Sequence, residues 1–312
     1  MTRPDRHVFP LVPRFRVSGL PFGEHRSVRR GPGSDVAGSR AYHPGDPVSA
    51  IDWYASARLS AAQGDAAFIV RERFADEAPR VVIVYDRRPS MALYPPPFPW
   101  LSKPAACARI VDAIVVSALA ARSEIGYVEH AANGGDHAEP YWLPPRSRGR
   151  GWEIEQRVAS QAFDAAPDAL ESAISYLARM RADLPAGSFV FVLSDFLAAP
   201  SLEAWRRALS LRWDVVPVVV QDPTWEQSFP DAQSVVVPFA DPESGGVVSV
   251  RLSAEDVRDR RRAHEERLHT MLRDFRTLGL DPVVIGTSNR AEIDRAFLSW
   301  AELRRQARRR AR

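Results

Sequence analysis

Short apolar runs alternate with longer amphipathic segments along most of the chain after residue 80. The runs VVIVY (81–85), FVFVL (189–193) and VVPVVV (215–220) are continuously apolar and rich in β-branched residues. Runs of this kind are typical of strands buried on both faces, and such strands occur mainly in parallel sheets. Three further segments are predicted to form strands: EIGYVEH (124–130), EPYWLP (139–144) and DPVVIG (281–286).

Helical patterns fill the intervals between these predicted strands. The predicted helices span approximately residues 104–122, 152–162, 169–181, 202–211, 254–278 and 292–310. Strands that alternate with helices in this way predict an α/β fold, a doubly wound and mostly parallel sheet of the Rossmann type with helices on both faces. The segments SVVVPFAD and GVVSVRL flank the turn sequence PESGG, so we also predict an inserted β-hairpin near residues 234–252.

The first 79 residues have a different texture. They are rich in Gly, Pro and Arg, show little helical periodicity, and contain the strong turn signal HPGDP (43–47). The segments SRAYHP and AAFIVRERF predict short strands joined by turns. We therefore predict two parts. A β-rich N-terminal segment spans residues 1–79, and an α/β domain spans residues 80–312, carries the hairpin and ends in a basic helix.

Composition removes several classes of protein from consideration. The formal net charge is only +3, which gives no strong field for nucleic acid, and the single cysteine, Cys107, excludes an intrachain disulfide. The longest apolar stretch, residues 105–121, is interrupted by Arg109 and Asp112, and is too short and too charged to span a bilayer. No secretory signal is evident. We expect a cytoplasmic protein without membrane insertion.

Common enzyme motifs are also missing. Lys103 is the only lysine and lies in LSKPAA, so the chain has no P-loop, which requires a Gly-Lys-Ser/Thr sequence to reach nucleotide phosphates. The sequence contains no G-x-S-x-G nucleophile elbow and no His-Glu-x-x-His or Cys-x-x-Cys zinc motif. These absences favour a protein without catalytic activity.

Two of the predicted buried strands end in an aspartate. Asp86 follows the strand at 81–85 and opens the sequence DRRPSM, in which Ser90 stands four residues later, and Asp195 follows the strand at 189–193 after Ser194. Open α/β sheets bind ligands at the carboxyl ends of their strands. The oxygens of Asp86, Ser90 and Asp195 suit Mg²⁺ or Mn²⁺. Arg88 opposes this, because its permanent charge is expected to pair with Asp86 or Asp195 in place of a metal.

This arrangement resembles the von Willebrand A family, whose metal-ion-dependent adhesion site is D-x-S-x-S completed by a later threonine and aspartate. Asp86, Ser90 and Asp195 match that pattern, whereas Arg88 stands at the first serine and no threonine lies between Thr2 and Thr224. The resemblance implies a degenerate adhesion site. In an intact site a partner's carboxylate completes the metal shell, so we expect Arg88 to meet such a carboxylate directly.

A second resemblance lies upstream. The sequence GEHRSVRRGPGSDVAGSRAYHPGDPVSAIDWYASAR, followed by FIVRERF, is similar to the signature of the domain-of-unknown-function-58 family (DUF58). The matching positions include His25, Arg40, Tyr42, Asp46, Asp52, Trp53 and Arg58. We expect Arg40, Arg58 and Arg71 to form a salt-bridged network with Asp46, Asp52 and Glu72, because buried charges must be paired. Tyr42 and Trp53 are expected to pack beneath it. The alternative is that these residues form a partner-binding surface.

The family resemblance implies a non-enzymatic scaffold that works beside a MoxR-type AAA+ ATPase, as an adaptor or co-chaperone, and alongside a transglutaminase-like protein of the same operon. Docking would use the degenerate site. Two alternatives remain open, a metal-dependent hydrolase at Asp86 and Asp195, and a nucleic-acid or membrane-surface binder that uses the C-terminal arginines. Those arginines are otherwise expected to be a solvated helix end. They are Arg304, Arg305, Arg308, Arg309, Arg310 and Arg312.

Overall fold

The computed structural model describes residues 8–15, 20–30, 36–94, 100–130, 139–160, 162–240 and 246–310. Within these ranges, only the backbone is described for 20–30, 36–37, 73–77 and 240. The first part of the chain forms a small antiparallel sheet with strand order β1-β3-β2 and one helix. Its elements are β1 (Leu20–Arg30), β2 (Val36–Ala41), α1 (Trp53–Gln63) and β3 (Ile69–Ala78).

Helix α1 was not predicted from the sequence, which indicated short strands joined by turns in this β-rich segment. The Asp52 side chain caps its start by accepting a hydrogen bond from the backbone N–H of Ala55, and Gly64 ends it with a left-handed φ of 79°. The helix buries only Ser56, so its sequence carries no apolar stripe from which a helix could be predicted.

The central sheet has six strands in the order β11-β8-β7-β4-β5-β6, and all its pairs are parallel except β5–β6. The mixed α/β fold with a mostly parallel sheet and flanking helices is thus confirmed. The strands are β4 (Val81–Tyr85), β5 (Ile125–Glu129), β6 (Tyr141–Leu143), β7 (Phe189–Ser194), β8 (Asp214–Val220), the hairpin strands β9 (Val236–Ala240) and β10 (Val247–Arg251), and β11 (Val283–Ile285). The helices are α2 (Lys103–Ala120), α3 (Gly151–Ser160), α4 (Ala169–Arg179), α5 (Leu202–Ser210), α6 (Ala254–Thr277) and α7 (Arg290–Arg310).

Alternate residues of the central strands face two separate apolar cores. In β4, Ile83 belongs to the core shared with α2, α3 and α7, whereas Val82 and Val84 belong to the core shared with α4, α5 and the end of α6. Phe9 lies in the first core and stacks on Phe297 with ring centroids 4.6 Å apart. Residues 9–12, which fall in the predicted N-terminal segment, therefore pack with the α/β domain.

The inserted hairpin has a small apolar cluster of its own. Phe229, Leu252 and Val257 are buried in it, with Trp225 and Phe239 packed against them. This cluster is distinct from the two cores that cover the sheet. We call residues 225–240 and 246–257 the hairpin unit.

The topology fixes where a site can form. From β4 the chain moves outward through β5 to β6, and then returns to the other side of β4 to build β7, β8 and β11. The carboxyl ends of β4 and β7 therefore flank the point at which the strand order reverses, which is where open α/β sheets form a crevice for ligands. Within the ranges given above, no helix is long and apolar enough to cross a membrane.

Candidate functional site

At the end of β4 the carboxylate of Asp86 is held by the guanidinium of Arg88. Arg88 Nε lies 2.9 Å from Asp86 Oδ1, and Arg88 Nη2 lies 2.5 Å from Asp86 Oδ2. The backbone N–H of Arg88 and the hydroxyl of Ser194 also donate to this carboxylate, at 3.0 and 2.6 Å. The two side chains are 6% and 0% exposed. The expected pairing of Arg88 with an aspartate therefore occurs, and the aspartate is Asp86.

Arg88 also bonds to the loop that follows β7. Its Nη1 donates to the carbonyl oxygen of Ala198 at 2.7 Å, and its Nη2 lies 3.2 Å from the hydroxyl of Ser194. The guanidinium is thus directed into the protein by its bonds to Asp86, Ser194 and Ala198. This geometry corrects the expectation that Arg88 directly meets a partner's carboxylate, because a buried and internally bonded guanidinium presents no such surface.

At the end of β7, Asp195 is paired with the only lysine of the chain. Lys103, at the start of α2, places its Nζ 2.8 Å from Asp195 Oδ2, 2.5 Å from Glu226 Oε1 and 3.0 Å from the carbonyl oxygen of Ser90. The side chains of Lys103 and Asp195 are both fully buried. The structure thus brings Ser90 and Asp195 together around Lys103, to which the sequence analysis gave no role at this site.

The pKa values in this cluster reflect burial and pairing. Burial alone would raise the pKa of Asp195, but the adjacent Lys103 ammonium and the hydrogen bonds to the carboxylate hold it below its ordinary value. Burial would likewise lower the pKa of Lys103, but the two carboxylates outweigh it and raise that pKa. Glu226 differs, because burial raises its pKa despite the attraction of Lys103.

These residues do not fit the divalent cation implied by the von Willebrand A resemblance. Arg88 binds Asp86 and Lys103 binds Asp195, so each candidate carboxylate already neutralises a positive charge of the chain. Ser147, the only hydroxyl in the loop at 144–151, accepts a hydrogen bond from the backbone N–H of Gly149 in the same loop. In the part of the chain that the structure describes, no group of three or more His, Cys, Asp or Glu side chains is arranged to hold a metal ion.

A further buried ionic network lies beside the clusters of Arg88 and Lys103. Arg87 is fully buried and pairs with Glu129 at the end of β5, and Glu129 also pairs with Arg157 of α3. Tyr127 donates its hydroxyl to Glu129 at 2.5 Å, and the Arg87 guanidinium lies 4.4 Å from the ring centroid of Tyr85. Consecutive arginines of DRRPSM therefore serve two different carboxylates. Sequence reasoning missed this network, because it gave Arg87 and Glu129 no role.

The family-signature residues form ion pairs near the surface. Arg40 makes two hydrogen bonds with Asp46, at 2.7 and 2.6 Å, and its Nε lies 3.2 Å from Glu72. Arg71 Nε lies 2.6 Å from Asp52. Arg40 and Arg71 are 36% and 48% exposed, so the predicted salt-bridged pairs exist but are not buried.

The remaining signature residues depart further from expectation. Trp53 is 59% exposed and meets Phe68 edge to face, so it does not pack beneath the ion pairs. Tyr42 is half-buried and also contacts the ring of Phe68. Arg58 is exposed, with its guanidinium 5.8 Å from the ring centroid of Tyr54. His25 lies on β1, where the side chain is outside the described part of the structure.

The C-terminal arginines are not uniformly solvated. Arg304 is 4% exposed, bonds to Asp214 Oδ2 at 2.9 Å and to Asp281 at 3.0 Å, and lies 4.3 Å from the ring centroid of Trp300. The prediction of a solvated helix end is therefore wrong for Arg304, which ties α7 to the start of β8. Arg312 lies outside the described residues.

Comparison with known proteins shows the family. Two relatives, uncharacterized protein Rv1480 of Mycobacterium tuberculosis and uncharacterized protein Mb1516 of Mycobacterium bovis, are each 28% identical over 246 residues, which is 76% of this chain and 69% of theirs. The chain is also similar to two solved structures at 15% identity. Conserved hypothetical protein BatB from Bacteroides thetaiotaomicron has a TM-score of 0.41, and the match covers 72% of this chain and 99% of that chain.

The second solved structure is an aerotolerance-related membrane protein from Bacteroides fragilis, with a TM-score of 0.42 and coverage of 72% of this chain and 98% of that chain. The family profile described as protein of unknown function DUF58 matches residues 38–270. Because this match spans well over half of the sequence, the chain belongs to the DUF58 family.

Proposed function

We propose that this DUF58 protein is a non-enzymatic interaction protein with a von Willebrand A-like domain, which acts in the cytoplasm as an adaptor or co-chaperone of a MoxR-type AAA+ ATPase. The strand order supports the domain assignment, since β4 at the centre is flanked by β5 and then the antiparallel β6 on one side. Asp86 and Asp195 lie at the carboxyl ends of adjacent strands of that sheet, which is where the resemblance expects the adhesion site.

One observation carries the proposal. Each acid of the degenerate site holds a cation supplied by the chain itself, Arg88 on Asp86 and Lys103 on Asp195. The charge that a bound metal would supply is therefore built into the protein. Such an edge keeps its shape and charge balance at any metal concentration, as a permanent docking surface requires.

The same pairing weighs against the alternative of a metal-dependent hydrolase. A general base must accept a proton, and a carboxylate whose negative charge is stabilised by an adjacent cation accepts one poorly. The Asp195 carboxylate has a lowered pKa for this reason. Asp86 accepts hydrogen bonds from both Arg88 and Ser194, so its oxygens are fully engaged.

One of the C-terminal arginines on which the nucleic-acid or membrane-surface alternative depends is not available to bind a ligand. Arg304 is bonded to Asp214 and Asp281 and contributes to packing. The exposed arginines that follow it on α7 stabilise the negative end of the helix dipole, which accounts for their position without a ligand. We propose that the ATPase and a transglutaminase-like protein of the same operon are the partners, with no nucleic acid involved.

The exposed loops around the paired acids are where we propose that the ATPase docks. Ala198 and Ala199 follow β7 and are exposed, and the carbonyl of Ala198 is held by Arg88. Arg88 thus positions the loop rather than contacting the partner. Ala92, at the end of the short turn that follows Arg88, is exposed as well. Small side chains on loops fixed from below allow close approach of a partner surface.

The test compares the same substitution at two sites, one beyond the carboxyl end of β7 and one before its amino end. Ala198→Glu places a bulky charge on the proposed docking loop, and Ala182→Glu places it on the exposed turn after α4, before β7 begins. Binding to a MoxR-type AAA+ ATPase of the same organism is measured by biolayer interferometry, with circular dichroism as the folding control. We expect Ala198→Glu to weaken binding at least about tenfold, because charge at the centre of an interface is strongly unfavourable.

Ala182→Glu is expected to bind as the unmodified protein does, and EDTA is expected to leave binding unchanged because the cations of the site are side chains. No binding of the unmodified protein, or equal loss for both substitutions, would contradict the proposed function.

A further inference from the structure

We infer that Lys103 forms a carboxylate-binding site, that Glu226 of the same chain occupies it in this conformation, and that a side-chain carboxylate of a protein partner replaces Glu226 when the hairpin unit withdraws. Only the identity of that partner rests on the proposed function. The site itself rests on the contacts around Lys103 and can be tested without the ATPase.

The three hydrogen-bond partners of Lys103 are of two kinds. An ammonium group has three donors, and here they meet the carbonyl of Ser90, the carboxylate of Asp195 and the carboxylate of Glu226. Ser90 and Asp195 follow β4 and β7, so the sheet fixes two of the three partners. Glu226 belongs to the hairpin unit and is the only one of the three ionic side chains that retains any exposure, 6% against 0% for both Lys103 and Asp195.

The site supplies two donors to one carboxylate. Lys103 Nζ lies 2.5 Å from Glu226 Oε1, and the backbone N–H of Asp222 donates to Glu226 Oε2 at 2.8 Å. Neither donor belongs to the hairpin unit, because Asp222 follows β8 and is held there by a hydrogen bond from Trp100 to its side chain at 2.6 Å. An ammonium and an amide that together engage both oxygens define a site for a carboxylate group.

The segment that carries Glu226 is attached to the rest of the domain through two sets of polar contacts. The backbone N–H groups of residues 224–227 donate to Asp222, and three side chains of α6 bond to the carbonyl oxygens that follow. Arg267, His264 and Arg261 of α6 bond to the carbonyl oxygens of Glu226, Ser228 and Phe229, at 2.8, 2.8 and 3.0 Å. The apolar residues of the hairpin unit pack on one another in a separate small cluster. A unit with its own apolar cluster and few buried apolar contacts to the main cores can open locally without unfolding the domain.

The direct test removes the resident carboxylate and supplies a free one. Glu226→Ala leaves a space beside Lys103 and the N–H of Asp222 that is shaped for a carboxylate, and sodium acetate is the probe. We expect the midpoint of thermal unfolding of Glu226→Ala to rise saturably with acetate, relative to sodium chloride at equal ionic strength, because a ligand that binds only the folded state stabilises it. The unmodified protein is expected to show no such acetate-specific rise, because Glu226 fills the site.

Two matched variants make the result specific. The double variant Lys103→Met/Glu226→Ala lacks the cation and is expected to lose the acetate response. Glu226→Gln fills the space with an amide and is also expected to lose it. If Glu226→Ala does not fold in chloride, the yield of folded protein recovered by refolding in acetate against chloride gives the same comparison. An equal yield or midpoint in the two salts, or an acetate response that survives in the double variant, would overturn the carboxylate site.

Replacement by the partner has its own readout. In the binding assay with the ATPase, Glu226→Ala is expected to bind several-fold more tightly than the unmodified protein, and acetate is expected to reduce its affinity to that of the unmodified protein. Equal affinity of the two proteins would overturn the replacement step. If neither protein binds the ATPase, the proposed function fails while the acetate comparison still decides the site at Lys103.

Discussion

Two ion clusters lie side by side at the carboxyl ends of the central strands, and they are assembled in opposite ways. Arg88 and Asp86 are two residues apart, and both belong to the turn that follows β4. Lys103 reaches across 92 residues to Asp195 and 123 residues to Glu226, which belongs to the hairpin unit. The first cluster is completed within the α/β core. The second includes a carboxylate from a peripheral segment, so its charge balance depends on where that segment lies.

This difference predicts that removing either cation lowers the free energy of unfolding, and that removing Lys103 lowers it more than removing Arg88. Without Lys103, two carboxylates are left buried in one small space. Without Arg88, one carboxylate is left, and it keeps the hydrogen bond from Ser194. A buried ion pair contributes little relative to a well-packed apolar replacement, but an orphaned buried charge is strongly destabilising.

Lys103→Met is expected to have the largest effect. The free energy of unfolding, measured by urea denaturation followed by circular dichroism, should fall by about 5 kcal/mol, at the upper end of the range for breaking a buried pair. Arg207→Met is the matched control, because it removes a cation from the exposed pair with Glu203 and is expected to change stability by less than about 1 kcal/mol. A loss for Lys103→Met as small as that of the control would mean that the ammonium does not hold the two carboxylates.

Arg88→Met is expected to lower the free energy of unfolding by about 3 kcal/mol, because Asp86 loses its counterion. The double variant Asp86→Asn/Arg88→Met is expected to be more stable than the single variant, because its buried carboxylate is replaced by a neutral amide that can still accept hydrogen bonds. The same urea measurement decides this. If the double variant were less stable than Arg88→Met alone, the local pair would not be the reason for the loss.

The central sheet was predictable because its evidence is local. Each of β4, β7 and β8 contains a continuous apolar run, and burial of such a run on both faces leaves few alternatives to a parallel sheet. Helix α1 was not predictable in this way, because it buries only Ser56 and owes its ends to Asp52 and Gly64. A helix defined by its caps leaves no periodic signal in a single sequence.

The candidate site divides along the same line. The pairing of Arg88 with an aspartate could be predicted, because Asp86 is two residues away and a permanent cation beside a carboxylate has an obvious partner. The approach of Lys103 and Glu226 could not be predicted, since it depends on the packing of α2 and of the turn after β8 against the strand ends. Lys103 nevertheless carried one signal. It is the only lysine in the sequence, and nearly all of the other basic side chains are arginines.

The smallest expected effect concerns the attachment of the hairpin unit to α6. The Nδ1–H of His264 donates to the carbonyl of Ser228 at 2.8 Å, and the ring meets Phe229 edge to face. Burial lowers the pKa of His264 below its ordinary value, although the bond to Ser228 opposes this. A histidine whose pKa is lower in the closed conformation than in the open one stabilises the closed conformation. This stabilisation is complete at pH values above the ordinary pKa of histidine. This contribution is lost as pH falls from the ordinary pKa to the lowered one, because the released ring takes up a proton first.

We therefore expect the hairpin unit to open more often at mildly acidic pH while the sheet stays closed. Hydrogen exchange, corrected for the intrinsic rate, should show less protection of residues 225–240 and 246–257 at about pH 5.5 than at about pH 7.5, with β7 unchanged. His264→Asn is expected to abolish this pH dependence. His269→Gln is expected to preserve it, because His269 is exposed and bonds to the carbonyl of Glu265 within its own helix. Equal pH dependence in His264→Asn would show that another group controls the unit. Loss of protection in β7 as well would show that the Lys103 cluster, like the Arg88 cluster, cannot open separately from the core.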